Sequence, residues 1–367
     1  NNSGDIWLAC QLLWASFLPL AARWSLDGRR AGGGPPPAAV LSAGSVAIVL
    51  QLVAVYLGAG MSKCNATWLE GSGMIRALSI HDHGTPLGMA IASLPWLAPP
   101  LQRAVPIAEI ALPLVALAVP AARLRLAIVV VAIAFHMGIG LLMRVGLFAA
   151  VGVVAWLPLV PAAAWPPGSA TSGPPVTRLG RPASLACWLL LAVAAAAFLI
   201  QSVAGLPDQL PRPLAIPINL AFLPQEWRMF GTVRDQEQWV SCRCITADGR
   251  AFDPLRGGRP AKAGPPAGGF ASLPNHRWHR FLWRLPEPAA RPFAATAAAA
   301  IARHWNANCG PADRCVAVEV WCGTAEVGAG DGTVRDALLA AWPPRSPAGR
   351  GSLDRFLQGR PAEEAAR

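Results

Sequence analysis

The stretch "VLSAGSVAIVLQLVAVYLGAGMSKCNATWLEG" (residues 40–71) decides the fold. Residues 40–60 form an uninterrupted apolar run, and about 20 helical residues are enough to cross a bilayer core of ~30 Å. The run ends just before Lys63, one of two lysines in a chain that otherwise uses arginine as its basic residue. The stretch therefore predicts a membrane helix that brings a lysine to one face of the bilayer.

The composition of the whole chain favours the same class of protein. The 367 residues are 54% hydrophobic and only 14% charged, whereas about a quarter of the residues in a typical soluble domain are charged. The net charge of +11 is spread along the chain, without a basic run or a set of stacking aromatics around it. We therefore expect membrane lipid as the surroundings and no nucleic-acid partner.

Six apolar segments fall near the tolerated length of about 17–25 residues for a span. They are residues 6–22, 40–60, 104–122, 126–143, 147–164 and 184–204. The stretch 84–100 is also apolar, but its prolines and its length favour an interfacial or re-entrant piece. Because the chain begins at Asn1 without a methionine, we expect further N-terminal spans before it.

Arginines in the loops give the orientation. When 84–100 does not cross, three connecting loops that carry arginine lie on one face, which the positive-inside rule makes cytoplasmic. These arginines are Arg23, Arg29, Arg30, Arg123, Arg125, Arg178 and Arg181. Lys63 and everything after residue 205 then face outward.

Two domains are predicted. Residues 1–205 are expected to form an all-α polytopic membrane helix bundle, and residues 206–367 a small α+β extracytoplasmic domain. In the second domain, "EQWVSCRCITADGRAFDP" (237–254) predicts two strands around a turn at Asp248 and Gly249. A helix is predicted over "FAATAAAAIARHWNAN" (293–308), and a half-buried strand over "RCVAVEVWC" (314–322).

Five of the eight cysteines lie in this second domain: Cys242, Cys244, Cys309, Cys315 and Cys322. In an oxidising compartment a bridge such as Cys309–Cys315 is expected. The "CRC" pair does not have the usual zinc-ligand spacing, so no metal is predicted there.

Ionisable side chains inside a bilayer are costly and tend to face a cavity or a partner. Glu109 lies in the third predicted span, where its carboxylate must be neutral, paired with a cation or hydrated. This favours a role in a polar cavity. His136, in the fourth span, either shares this cavity or only donates to a carbonyl group. Arg144 ends the same span, where its side chain can reach the interface.

Two interpretations of Lys63 stay open. It is an interfacial anchor, or it is a base, because a desolvated amine can lose its proton near neutral pH and a guanidinium cannot. His81 and His83, in "SIHDHG" (79–84), are either two metal ligands or part of a solvated loop.

Three separated motifs resemble a known family. They are "RWSLDG" (23–28), "YLGAGMSKCNATWLEG" (56–71) and "FHMGIGLLMRVGLF" (135–148), and in order and spacing they are similar to the vitamin K-dependent γ-glutamyl carboxylases. They resemble more closely the bacterial relatives of these enzymes, the HTTM (horizontally transferred transmembrane domain) proteins. This resemblance implies a multi-pass protein of the bacterial cytoplasmic (inner) membrane. The second motif matches the family signature at Tyr56, Ala59, Gly60, Lys63, Trp68 and Gly71. The resemblance covers roughly residues 1–165.

The resemblance implies a role for Lys63. In the animal carboxylase the matching lysine is the base that deprotonates vitamin K hydroquinone, and O2 and CO2 are co-substrates. Catalytic roles are therefore expected for Lys63, His136 and Glu109, and binding of a reduced quinone for Tyr56 and Trp68. A secreted peptide is the implied substrate.

Three functional hypotheses follow. The chain is a quinol-dependent enzyme that acts on an extracytoplasmic peptide or small acid. Alternatively, it is a non-catalytic membrane factor for maturation or export of a secreted peptide, or a small-solute transporter. The substitution Lys63→Arg separates them, because it keeps the charge and removes the basicity.

Overall fold

The computed structural model describes residues 3–20, 26, 40–165, 180–204, 206, 210–261, 264–266, 268–327 and 334–343. The chain divides into two compact units. The first comprises Asn1–Leu78 and Gly84–Val233, and the second comprises Ser79–His83 and Arg234–Arg367. The boundary between residues 205 and 206 stays a prediction, and the compact units divide after Val233. Arg23, Arg29, Arg30 and Arg178, which gave the orientation, lie outside the described residues.

Helices make up the first unit. In chain order the α-helices are α1 Ser3–Ala15, α2 Ala43–Ser62, α3 Ala66–Leu69, α4 Gly73–Ser79, α5 Pro86–Ala92, α6 Ala98–Ala118, α7 Ala122–Leu142, α8 Phe148–Trp156, α9 Arg181–Phe198 and α10 Arg212–Leu220. A π-helical turn, Leu199–Val203, extends α9.

Four helices among the described residues are long and apolar enough to cross a membrane: α2, α6, α7 and the extended α9, Arg181–Val203. The two other predicted spans form shorter helices. In the segment 6–22, α1 ends at Ala15, and in the segment 147–164 the apolar helix ends at Leu159. Pro158 and Pro161 have no N–H group with which to continue that helix. The stretch 84–100 contains the seven-residue α5, which is too short to cross.

The helix α2 packs against α1, α6 and α9, so it lies at the centre of the first unit. A capping box begins it: the Ser42 and Ser45 side chains each bind the other's backbone N–H. Near its other end, a side chain at Gly60 would lie 2.6 Å from Ile110 and 3.2 Å from the carbonyl oxygen of Pro106. Glycine therefore lets α2 and α6 approach closely at this level.

A buried amide network holds the segment after α10 against the first unit's helices. Gln51 of α2 and Gln225 exchange hydrogen bonds of 3.1 and 3.2 Å, and the indole N–H of Trp227 donates to Gln225 at 2.8 Å. The backbone N–H of Gln225 donates to Gln201, and the Ser202 hydroxyl donates to the Gln225 carbonyl. Because each amide has partners, the network offsets the cost of removing these groups from water.

Among its described residues, the second unit has a five-stranded antiparallel sheet and two α-helices. The strands are β1 Gln236–Thr246, β2 Ala251–Asp253, β3 Arg259–Pro260, β4 Cys315–Glu326 and β5 Arg335–Trp342, in the order β3-β2-β1-β4-β5. The helices are α11 His276–Arg284 and α12 Phe293–Asn308. Strands and a helix occur where the sequence predicted them, and Gly249 has the positive φ of +82° that the predicted turn requires.

One disulfide lies among the described residues, and it joins Cys244 to Cys315. The pairing of β1 with β4 places Cys315 opposite Thr246, and the Cys244 and Cys315 Cα atoms are 5.6 Å apart. The expectation of a Cys309–Cys315 bridge is wrong, because spacing along the chain does not give the register between strands. Cys309 is a free thiol after α12.

Peptide mapping of the full chain without reduction should recover a linked pair that contains Cys244 and Cys315. Iodoacetamide should modify the half-buried Cys309 of the folded protein and spare Cys242, because burial raises the pKa of the Cys242 thiol. The control variant Cys309→Ser should keep the linked pair. A peptide that links Cys309 to Cys315 would contradict the pairing.

Candidate active site

Lys63 directly follows the last residue of α2, and its side chain turns back into the protein. The residue is 3% exposed, and its Nζ donates to the carbonyl oxygen of Ala59 at 3.2 Å. The same Nζ donates to both carboxylate oxygens of Glu109, at 3.1 Å to Oε1 and 2.9 Å to Oε2. Lys63 is therefore not an interfacial anchor, since its charge is enclosed by protein.

Glu109 lies on the face of α6 that packs inward. The buried residues of this helix recur at helical spacing: Ala98, Gln102, Pro106, Glu109, Pro113 and Ala116. The exposed fraction of Glu109 is 8%. A Cβ atom at Gly60 would lie 3.2 Å from the Cβ of Glu109, so the glycine is what allows the carboxylate to lie beside α2.

Trp68 forms one wall of the site. The Lys63 Nζ lies 5.4 Å from the centre of the Trp68 ring, which is the geometry of a cation–π contact. The indole N–H donates to the Phe230 carbonyl at 2.8 Å, and Gly73 leaves room for the ring because any side chain there would strike it. The ring is 3% exposed, so it shields the ammonium group from water.

Gln102 fixes the loop that carries Trp68. Its side-chain amide donates to the Trp68 carbonyl and accepts the Met74 backbone N–H at 3.0 Å. Between α3 and α4 the chain turns at Gly71, whose φ of +107° favours glycine. A glycine at position 71 thus has a conformational reason.

The Lys63–Glu109 pair is neutral overall and can hold its proton in two ways. The proton lies on the amine, which gives an ammonium–carboxylate pair, or on the carboxylate, which gives an amine and a carboxylic acid. Burial penalises the separated charges, and the bidentate contact compensates for part of this penalty. The arrangement can therefore move a proton over 2.9 Å without creating an isolated buried charge.

A second polar cluster surrounds His136 of α7. The Tyr56 hydroxyl lies 2.8 Å from His136 Nε2, and the Trp156 indole N–H donates to the same hydroxyl at 2.8 Å. Because that hydroxyl accepts from Trp156, it can donate its own hydrogen bond to Nε2. In this arrangement Nε2 is the acceptor, and the neutral imidazole carries its proton on Nδ1. The residues Trp7 and Phe148 also pack their rings against His136.

Two ring nitrogens in this second cluster have no hydrogen-bond partner within the described part of the chain. They are His136 Nδ1 and Trp7 Nε1. Both residues are buried, with exposed fractions of 1% and 0%. Buried donors are nearly always paired in proteins, so these two N–H groups are candidates for contact with a bound molecule.

The five predicted site residues thus fall into two clusters. Lys63, Glu109 and Trp68 form the first, and Tyr56 and His136 belong to the second. Tyr56 precedes Lys63 by seven residues on α2, which corresponds to about 10 Å along the helix axis. The predicted grouping of His136 with Glu109 around one cavity, and of Tyr56 with Trp68 on one ring, does not appear in these contacts.

The remaining candidate residues make contacts outside the two clusters. Arg144 follows α7 and donates to the Gly84 carbonyl. His81, in the second unit, pairs with Glu237 through its Nδ1 at 2.9 Å. Burial lowers the pKa of His83, and the nearby Asp82 carboxylate opposes this shift. Among the described residues, no group of three or more His, Cys, Asp or Glu side chains could hold a metal ion.

Gln102, Trp7 and Trp156 were not predicted as site residues from the sequence. Gln102 could have been found, because it is a polar residue two turns before Glu109 on the same helix face. Trp7 and Trp156 could not, since a tryptophan in an apolar helix is ordinary.

Comparison with known proteins gives one match. The family model described as HTTM domain matches residues 6–165. No curated protein and no solved structure matches the chain. The matched range includes both clusters.

A double-mutant cycle should reveal the coupling within the ion pair. Lys63→Met or Glu109→Leu alone should lower the free energy of unfolding by about 3–5 kcal/mol, because each leaves a buried charge without its partner. The double variant should lose less than the sum of the two, as measured by unfolding of the full chain in detergent. Lys63→Met combined with Glu70→Leu, which removes an exposed carboxylate, is the additive control. Additivity of the Lys63 and Glu109 changes would contradict the pairing.

Proposed function

We propose that this integral membrane protein, whose residues 6–165 form an HTTM domain, is an enzyme that uses a reduced quinone to modify an extracytoplasmic peptide or small acid. The observation that carries the proposal is the buried contact of Lys63 with both carboxylate oxygens of Glu109. A lysine that served only as an anchor would place its amine in water. Here the amine is shielded from water and lies against a proton acceptor.

Glu109 gives the lysine a way to become a base. When the Lys63 proton moves along the existing hydrogen bond, the products are a neutral amine and a carboxylic acid. The amine can then take a proton from an acidic O–H group of a bound molecule, which makes it an ammonium again. The pair has gained one proton in this sequence, and Glu109 holds it until it is released. A guanidinium group cannot take the place of the amine, because it does not lose its proton near neutral pH.

The second cluster fits a quinone-type ring in its donor chemistry. The unpartnered N–H groups of His136 and Trp7 match oxygen acceptors, and the surrounding rings of Trp7, Phe148 and Trp156 match a flat aromatic body. When bound, a reduced quinone with O2 would supply the strong base needed to remove an unactivated C–H proton before CO2 is added. At this cluster the chain's own residues would bind the ring and exclude water, and Lys63 would accept a proton from an O–H group that reaches the first cluster.

The arginines of the connecting loops support an outward-facing Lys63. The positive-inside rule assigns the loops that carry these arginines to the cytoplasm, and Lys63 lies at the other end of its predicted span.

The disulfide supports an extracytoplasmic location of the second unit. A bond such as Cys244–Cys315 persists in oxidising compartments and is rare in the cytosol. We therefore assign the second unit to the outside of a bacterial cytoplasmic membrane. A secreted peptide would be accessible there.

Transport is the second candidate, because buried Glu109 and His136 could also bind a proton or a solute within the bundle. A non-catalytic maturation factor would need the ion pair only for stability. The three functions respond differently to substitution. An enzyme requires the basicity of Lys63, a transporter requires the carboxylate of Glu109, and a scaffold tolerates either change if the fold is kept.

The variant Lys63→Arg in purified full-length protein tests the proposal. With vitamin K hydroquinone as the probe, the wild type should convert quinol to epoxide, and Lys63→Arg should reduce the rate by roughly 10²–10⁴, the usual contribution of a positioned base. Lys262→Arg, which changes the other lysine, is the matched control and should keep full activity. A wild type without quinol oxidation, or a fully active Lys63→Arg, would contradict the enzyme assignment. Loss of solute uptake in Glu109→Gln alone would instead support transport.

A further inference from the structure

The helix α11, "HRWHRFLWR", has an unusual surface for a helix of a small domain. Leu282 is buried and packs into the core of the second unit with Leu285 and Trp278. On the solvent side, Phe281 is 39% exposed and Trp283 is 41% exposed. Large aromatic side chains left in solvent on a basic helix are typical of contact with a membrane surface or another macromolecule.

Around the helix surface, three arginines lie between Phe281 and Trp283. Arg277, Arg280 and Arg284 are spaced at i, i+3 and i+7, so they share one face of the helix. The helix contains no Asp or Glu, and the first acidic residue after it is Glu287. The face is therefore strongly positive and selects an anionic partner.

An apolar groove runs beside this face, between α11 and α12. It has a volume of about 440 Å³, and Trp278, Phe281 and Phe293 line it together with small residues of α12. Phe293, at the start of α12, is 59% exposed. Arg277 lies among the lining residues, so a cation stands beside an apolar cavity.

We propose that the α11 face and this groove bind anionic phospholipid. The exposed Arg277 and Arg284 would contact lipid phosphates, while Phe281, Phe293 and the groove would accept the glycerol and upper acyl region of a lipid. Aromatic and arginine side chains prefer this headgroup level of a bilayer. The second unit is joined covalently to membrane helices of the same chain, so phospholipid has a high effective concentration, which favours lipid over a diffusing acidic peptide as the occupant. The proposal does not depend on the chemistry of Lys63.

Photo-crosslinking of the full chain in nanodiscs tests this surface. Benzoylphenylalanine in place of Phe281 should form a phospholipid adduct, detected by mass spectrometry, in discs that contain phosphatidylglycerol. The same photoprobe in place of Val316 of β4, which is 51% exposed, is the positional control and should form few adducts. In discs of phosphatidylcholine alone, the adduct at position 281 should decrease.

Charge removal separates binding of anionic lipid from chance proximity. Arg277→Gln together with Arg284→Gln should reduce the adduct at position 281 by roughly tenfold or more, since each basic residue near an anionic surface contributes to attachment. Arg314→Gln together with Arg335→Gln removes the same charge elsewhere in the unit and should have little effect. The linked Cys244–Cys315 peptides report that each variant is folded. The proposal is wrong if position 281 gives no adduct, or gives equal adducts whatever the lipid charge and the arginines.

Discussion

The ion pair between Lys63 and Glu109 is the interaction on which the rest of the first unit depends. Two opposite charges inside an apolar bundle are tolerated only when they meet with good geometry, because each alone would cost several kcal/mol. Meeting this condition requires α2 and α6 to approach closely, which Gly60 permits. It also requires a cover over the ammonium, which Trp68 supplies. The backbone and side-chain choices around residue 63 follow from this need.

Several parts of the chain converge on the site. Gln102 and Gly71 set the loop that carries Trp68, and the Phe230 carbonyl accepts its indole N–H. Phe230 in turn follows the segment that the buried amide network of Gln51 and Gln225 holds in place. A change in any of these contacts would alter how well water is excluded from the ion pair. Desolvation of this kind decides whether a lysine can act as a base.

The sequence predicted the kinds of residue in the site better than their contacts. Lys63 was identifiable as an amine in an arginine-rich chain, and Glu109 as a carboxylate within a span. Their contact could not be predicted, because it depends on the rotation and height of α6 against α2. The same limit explains the wrong cysteine pairing. The length of one helix was predicted too long for a local reason. The segment 147–164 is apolar throughout, but its two prolines end the helix before the segment ends.

The central claim is that Lys63 and Glu109 can exchange a proton across a buried contact. Because the chain has two lysines, ¹⁵N labelling at lysine Nζ gives two signals, and Lys262→Arg assigns them. We expect Glu109→Gln to shift the Lys63 signal, because it removes the carboxylate that lies 2.9 Å from Nζ, and to leave the Lys262 signal unchanged. A Lys63 signal that does not respond to Glu109→Gln would contradict the pairing and the base that depends on it.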